Sequence, residues 1–282
     1  MSKRTQTGRP GTAHRVMNPD ESNRLFLYEY DRGSNYEEDT RLTTALSALL
    51  PEDSLAHPDQ RLFQTVHLIT EYAWCEMHFE MRRAAAKLGE CDYLLAAQLL
   101  QRAAAMGELP VRAVQLLMDF LPQESLLRLR ETFPENTTGL DSPGARNLRR
   151  AAVALWQETE AALAREGLTA RGLVQAQGRD VPPGREDRAP DLALVRQALF
   201  RLDAAVGTWK HIHLRMVWSQ LGGHPETASQ TGPDTREDLP KSLRGQSTSG
   251  VRAMADRSLF PRLWDSVDET YRAFVPDGQT PA

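Results

Sequence analysis

Cysteine is scarce in this chain, and the two that occur, Cys75 and Cys91, form neither a CxxC nor a CxxCH pair. Structural zinc and a covalently attached c-type heme are therefore disfavoured. Each cysteine reads as a small apolar residue in a reducing, cytoplasmic setting. Long apolar runs are missing as well, so no membrane span is expected. Residues 1–15 are basic and polar without an apolar centre, which does not fit a secretory signal, and residues 1–20 read as a disordered arm. Positive charge is not in excess: 34 Lys and Arg face 38 Asp and Glu, a formal net charge of −4. That balance argues against nucleic acid as a partner, because phosphate neutralisation needs a basic surface. There is no GxGxxG, no P-loop, no nucleophile elbow and no HExxH. Alternating β-branched runs are absent too, which disfavours sheet.

What the chain does have is helical periodicity, rich in Ala, Leu, Glu, Gln and Arg. The pattern predicts helices over about 37–50, 58–88, 92–106, 110–121, 123–132, 145–165, 191–221 and 256–274, punctuated by Pro51, Gly89, Gly107, Pro122, Pro134, Gly167 and Gly222. Gly89 is expected to supply a left-handed C-cap. Pro/Gly-rich, polar stretches near 176–190 and 224–249 read as flexible loops. With 282 residues, 40% of them hydrophobic, the chain can bury a sizeable core. The expected fold is all-α: one helical domain over 21–282, built as a bundle of long antiparallel helices.

Two histidine regions stand out. On the second helix His67, Glu71 and Trp74 share a stripe, with Phe63 one turn earlier and Leu62, Val66 and Ile69 alongside. A histidine there reads either as a core residue satisfied by a neighbour such as Glu71, or as an active-site base. Later, His211 and His213 are two apart, roughly 200° around a helix, so they cannot hold one metal together. One of them could be the axial ligand of a heme iron.

Residues 63–71 (FQTVHLITE) resemble the segment of tryptophan 2,3-dioxygenases in which Phe precedes the distal histidine by four residues and Glu follows it by four. The stretch 213–217 (HLRMV), followed by Leu221-Gly222, resembles that family's proximal motif, and 245–251 (GQSTSGV) the end of its GTGGSSG loop. Asn35-Tyr36 and Leu42 to Leu49 are similar to its substrate-capping helix. The resemblance implies a non-covalent heme b between long helices, with His213 as proximal ligand and His67 on the distal side. It further implies that Phe63 and Tyr36 touch the substrate, that Thr248 binds its amino-acid end, and that either Arg149 or Arg150 clamps its carboxylate. A homo-oligomer is implied too, with Tyr28, Tyr30 and Tyr36 capping a neighbour's pocket.

The departures are informative. Leu68 stands where the dioxygenases carry Gln, Asp39 and Thr40 replace apolar capping positions, and the GTGG stretch is lost. This pattern is similar to the heme-dependent tyrosine hydroxylases of natural-product biosynthesis, a branch of the same superfamily. The activity implied is peroxide-dependent 3-hydroxylation of L-tyrosine to 3,4-dihydroxyphenylalanine, with His67 and Glu71 as catalytic residues. Three other readings compete: a tryptophan 2,3-dioxygenase using dioxygen, a non-catalytic heme sensor, and a helical adaptor without cofactor.

Overall fold

In a computed structural model, which describes residues 15–16, 29–30, 34–134, 142–169, 172–174, 188–222 and 249–274, the fold is all-α. The chain separates into two compact units, Met1–Thr65 and Val66–Ala282. Most of the arm expected over 1–20, and most of the loops expected near 176–190 and 224–249, lie outside the described residues. Among the described residues no helix is long and apolar enough to cross a membrane.

The first unit holds a two-residue antiparallel pairing, with Arg15 opposite Tyr30 and Val16 opposite Glu29. Sequence pattern alone gives no hint of it. Helices α1 (Asn35–Thr40) and α2 (Leu42–Leu46) replace the single helix expected over 37–50. The break is at Arg41, whose φ of 54° lies in the left-handed region and whose N–H returns to the Glu37 carbonyl. The Ser34 hydroxyl caps α1 by accepting from the Glu37 amide at 3.1 Å. A 3-10 turn (Glu52–Ser54) leads to the first residues of α3 (Gln60–Gly89). There Gln64 donates to the Ala48 carbonyl at 2.8 Å and accepts from the Leu50 amide at 3.0 Å.

The second unit contains the rest of α3 and then α4 (Tyr93–Met106), α5 (Glu108–Phe120), α6 (Gln123–Thr132), α7 (Pro143–Arg165), α8 (Ala189–Leu221), α9 (Ser249–Ala255) and α10 (Pro261–Phe274). Helix α8 is the central element, packed against α4, α5, α6 and α9. Ala96, Ala97, Ala103 and Ala104 on α4 are small and buried, which lets helices approach closely. The core also takes Trp74, Met77, Met81 and Leu88 from α3, Leu148 and Leu155 from α7, Leu199 and Leu202 from α8, and Phe260. Full burial of each large side chain contributes about 1.5–3 kcal/mol against exposure.

Two chain turns differ from expectation. Gly89 stays helical, and Cys91 takes the left-handed conformation instead, at φ 62°. The Asp92 amide then donates to the Lys87 carbonyl and the Cys91 amide to Leu88, the paired bonds of a Schellman stop. Asp92 next caps α4. The helix expected over 256–274 starts later, at Pro261, because the Leu259 and Phe260 amides before it turn onto Asp203 of α8 at 2.6 and 3.0 Å, and the short α9 before it was not expected. The helix expected from 145 begins at Pro143, a residue suited to a first turn, with Ser142 as its cap.

Candidate functional site

Helix α8 turns its two histidines apart, as their spacing requires. His211 is exposed, with Nδ1 donating to the Gly207 carbonyl at 2.8 Å. His213 faces inward, and its Nδ1 is buried without a hydrogen-bond partner among the described residues. Burial pushes its pKa down from 6.5 to about 4, and the nearby His67 adds to the lowering. The imidazole is thus neutral at physiological pH. Trp209, four residues earlier on the same face, stacks on it with ring centroids 5.1 Å apart and planes at 19°. Trp74 of α3 meets Trp209 edge to face at 5.2 Å and 89°. The Trp74 indole is 1% exposed, and its N–H also lacks a partner among the described residues.

These rings line a narrow cavity with Ala145, Leu148, Arg149, Val206, Lys210, Met254 and Leu259. Its charge is cationic on one side. Lys210 is buried and donates to the Arg257 carbonyl at 2.6 Å. Burial lowers its pKa, Asp203 offsets part of that, and Arg149 and Arg257 lower it further. A donor-rich, partly cationic cavity with apolar walls suits a ligand that carries a carboxylate.

The expected site residues distribute unevenly. His67 and His213 come near enough for one ring's charge to disfavour the other's, and His67 is exposed. Both rival arginines are exposed; Arg149 lines the cavity, and Arg150 donates to Asn147. Neighbouring helical residues differ by about 100° around the axis, so only one can face inward. Glu71 has both carboxylate oxygens engaged by α7: Ser142 Oγ donates to Oε1, and the Gly144 amide to Oε2 at 3.0 Å. Phe63 and Tyr36 belong to the first unit, Phe63 half-buried and Tyr36 71% exposed. Thr248 and Tyr28 lie outside the described residues. The sequence reading missed Lys210, and it missed Trp209 as a partner of His213, although their four-residue spacing is a legible signal.

No family model matches the chain, and no curated protein matches it either. Function therefore rests on the residues. Among the described residues no group of three or more His, Cys, Asp and Glu gathers to hold a metal. The donor that does present itself is one neutral imidazole with an unpaired ring nitrogen, and this fits an axial ligand of a heme iron. The cavity beside it measures about 40 Å³. That is room for water but short of a macrocycle, so a heme at His213 requires these walls to part.

Proposed function

We propose that the chain is a heme-dependent oxidoreductase acting on an aromatic amino acid, with His213 as the iron ligand. The reaction proposed is hydroxylation of L-tyrosine by hydrogen peroxide to 3,4-dihydroxyphenylalanine and water. The observation that carries this reading is His213 itself: a histidine kept neutral by burial, with an unpaired nitrogen, stacked on the Trp209 indole and near enough to His67 to feel its charge.

Bound heme would supply the iron at which the peroxide O–O bond is cleaved and one oxygen passed to the ring. The protein's part is positioning and proton handling. Arg149, at the cavity edge beside Lys210, is the group to receive the substrate carboxylate. His67, exposed and close to His213, is the group to take the peroxide proton and return it to the leaving oxygen. The apolar walls formed by Trp74, Leu148, Val206 and Leu259 keep water from competing. That Phe63 touches the substrate ring, that Thr248 binds its amino-acid end, and that Tyr28, Tyr30 and Tyr36 cap a neighbour's pocket in a homo-oligomer is part of the same proposal and follows from the family resemblance.

The deciding experiment is an optical spectrum of the protein purified from heme-supplemented cells, taken with and without L-tyrosine and L-tryptophan. A histidine-ligated heme band is expected in the wild type and a loss of stoichiometric heme in His213→Ala. An unchanged band in the variant refutes the ligand. His67→Ala should keep heme and slow turnover by about 10²–10⁴-fold. Product mass then separates hydroxylation, one oxygen added, from dioxygenation, two. A colourless wild-type protein overturns the proposal.

A further inference from the structure

The first turn of α7 is docked onto α3 by contacts to which the reading above gives no task. Glu71 Oε1 accepts from the Ser142 hydroxyl, and Oε2 accepts from the Gly144 amide at 3.0 Å. Ser142 Oγ in turn accepts from the Ala145 amide at 3.1 Å. A helix N-terminus holds unpaired N–H groups and the positive end of the helix dipole, so a carboxylate there is doubly favoured. Gly144 adds a steric condition. A Cβ at that position would stand 2.6 Å from Trp74 Cβ and 2.7 Å from Glu71 Oε2. Trp74 is fully packed in the core and cannot give way. Only glycine allows α7 this close to α3.

The docking fixes one helix against the other at a useful place. Glu71 lies one turn beyond His67 on α3, and Arg149 lies about a turn and a half beyond Gly144 on α7. Trp74, Arg149 and His213 then line one cavity. We infer that Glu71 is a positioning residue, acting through Ser142 and Gly144 to set where Arg149 stands at the His213 cavity. It governs recognition of the substrate carboxylate and not the chemistry at the ring. This rests on the reading that Arg149 receives an amino-acid carboxylate.

The test uses the full chain loaded with heme and two probes that share a phenol: L-tyrosine, and tyramine, which lacks the carboxylate. Dissociation constants are measured by calorimetry. Glu71→Gln and Gly144→Ala should each weaken L-tyrosine about tenfold, the effect of disturbing one charge-assisted contact, and leave tyramine within about twofold. Ser142→Ala, which keeps the carboxylate, should show the same selectivity more weakly. Arg149→Ala should lose the same discrimination, with no further loss on adding Glu71→Gln. The pH profile of turnover should be the same in Glu71→Gln as in wild type. Equal weakening of both probes, or a shifted pH profile, overturns the inference. Should wild type bind neither probe, the substrate reading fails by itself. Hydrogen exchange then decides the docking role: amides 144–150 must exchange at least about tenfold faster in Glu71→Gln, and wild-type rates there overturn it.

Discussion

Replacing Asp203 with asparagine tests whether one buried carboxylate holds the C-terminal segment on α8. Asp203 is buried, and its Oδ1 accepts the amides of Leu259 and Phe260 at 2.6 and 3.0 Å, while Oδ2 accepts the Trp264 indole N–H at 2.9 Å. Lys210, two turns along α8, is buried and draws on the same negative charge. Asparagine keeps one carbonyl oxygen for the two amides but sets an NH₂ against the indole N–H, donor to donor. The orphaned indole costs about 1 kcal/mol, at the low end because Trp264 is partly exposed. Weakening two charge-assisted bonds to neutral strength costs about 1 kcal/mol more. Leaving Lys210 without its counter-charge adds roughly another 1 kcal/mol. The total is about 3 kcal/mol, or about 6–12 °C in Tm for a unit of this size. Urea unfolding followed by circular dichroism measures it. Lys210→Met in the Asp203→Asn background should restore about 1 kcal/mol, because it removes the stranded cation. A loss below about 1 kcal/mol, or strictly additive losses in the double variant, would refute the reasoning.

Two further perturbations follow from the buried charges and the buried imidazole. His213 binds its proton with a pKa of about 4 when folded against 6.5 unfolded, so the unfolded chain takes up a proton that the folded one refuses. The stability tied to this group is full above pH 6.5 and is lost as pH falls toward 4, about 2.5 kcal/mol by about pH 4.5. Comparing urea midpoints of cofactor-free wild type and His213→Gln between about pH 7 and 4.5 checks this, and equal slopes contradict it. Glu80, fully buried, is held by Arg83 at 3.0 Å and Arg102 at 2.7 Å, both of which reach solvent. Glu80→Met should therefore stay within about 1 kcal/mol of wild type, whereas Arg102→Ala, which strips a buried carboxylate of one partner, should cost more, about 2–3 kcal/mol. Thermal melts that rank the two variants the other way would remove the burial argument.

Helix identity was legible because local chemistry decides it. Pro122 and Pro134 bracket a helix found at Gln123–Thr132, as expected, and Gly222 ends α8 at φ 87°. The errors fall where distant residues decide. Nothing local marks Arg41 or Cys91 for a left-handed φ, a conformation that glycine favours. The late start of α10 at Pro261 is set by Asp203, on a helix more than fifty residues earlier. The same limit governs the site. The inward turn of His213 and its stacking on Trp209 follow from helical spacing and could be read from the sequence. Choosing Arg149 over Arg150 needs the rotation of α7 about its axis, which depends on Glu71 and Gly144 meeting across two helices. Glu71 itself looked like a partner for the histidine one turn before it, because only residues close in sequence were available to pair it with.

The energetics of buried polar atoms bear on the proposal that the His213 cavity binds a ligand. A buried polar atom without a hydrogen bond costs roughly 1–3 kcal/mol, and a leucine in its place costs nothing of the kind. Here two such atoms, His213 Nδ1 and Trp74 Nε1, belong to side chains lining one cavity. Asp203 is met by three donors, Glu80 by two arginines, and Thr159 by the Leu155 carbonyl at 2.8 Å, whereas Trp156 Nε1, Arg196 Nε and Gln220 Oε1 elsewhere in the same unit are also without a hydrogen-bond partner among the described residues. Helix α8 can also satisfy a histidine within itself, as His211 shows with the Gly207 carbonyl. The imidazole at 213 forgoes that solution and accepts a lowered pKa as well. Under the proposal, a bound iron or proton donor would complete the His213 ring nitrogen, and an acceptor on the ligand would complete the Trp74 indole N–H.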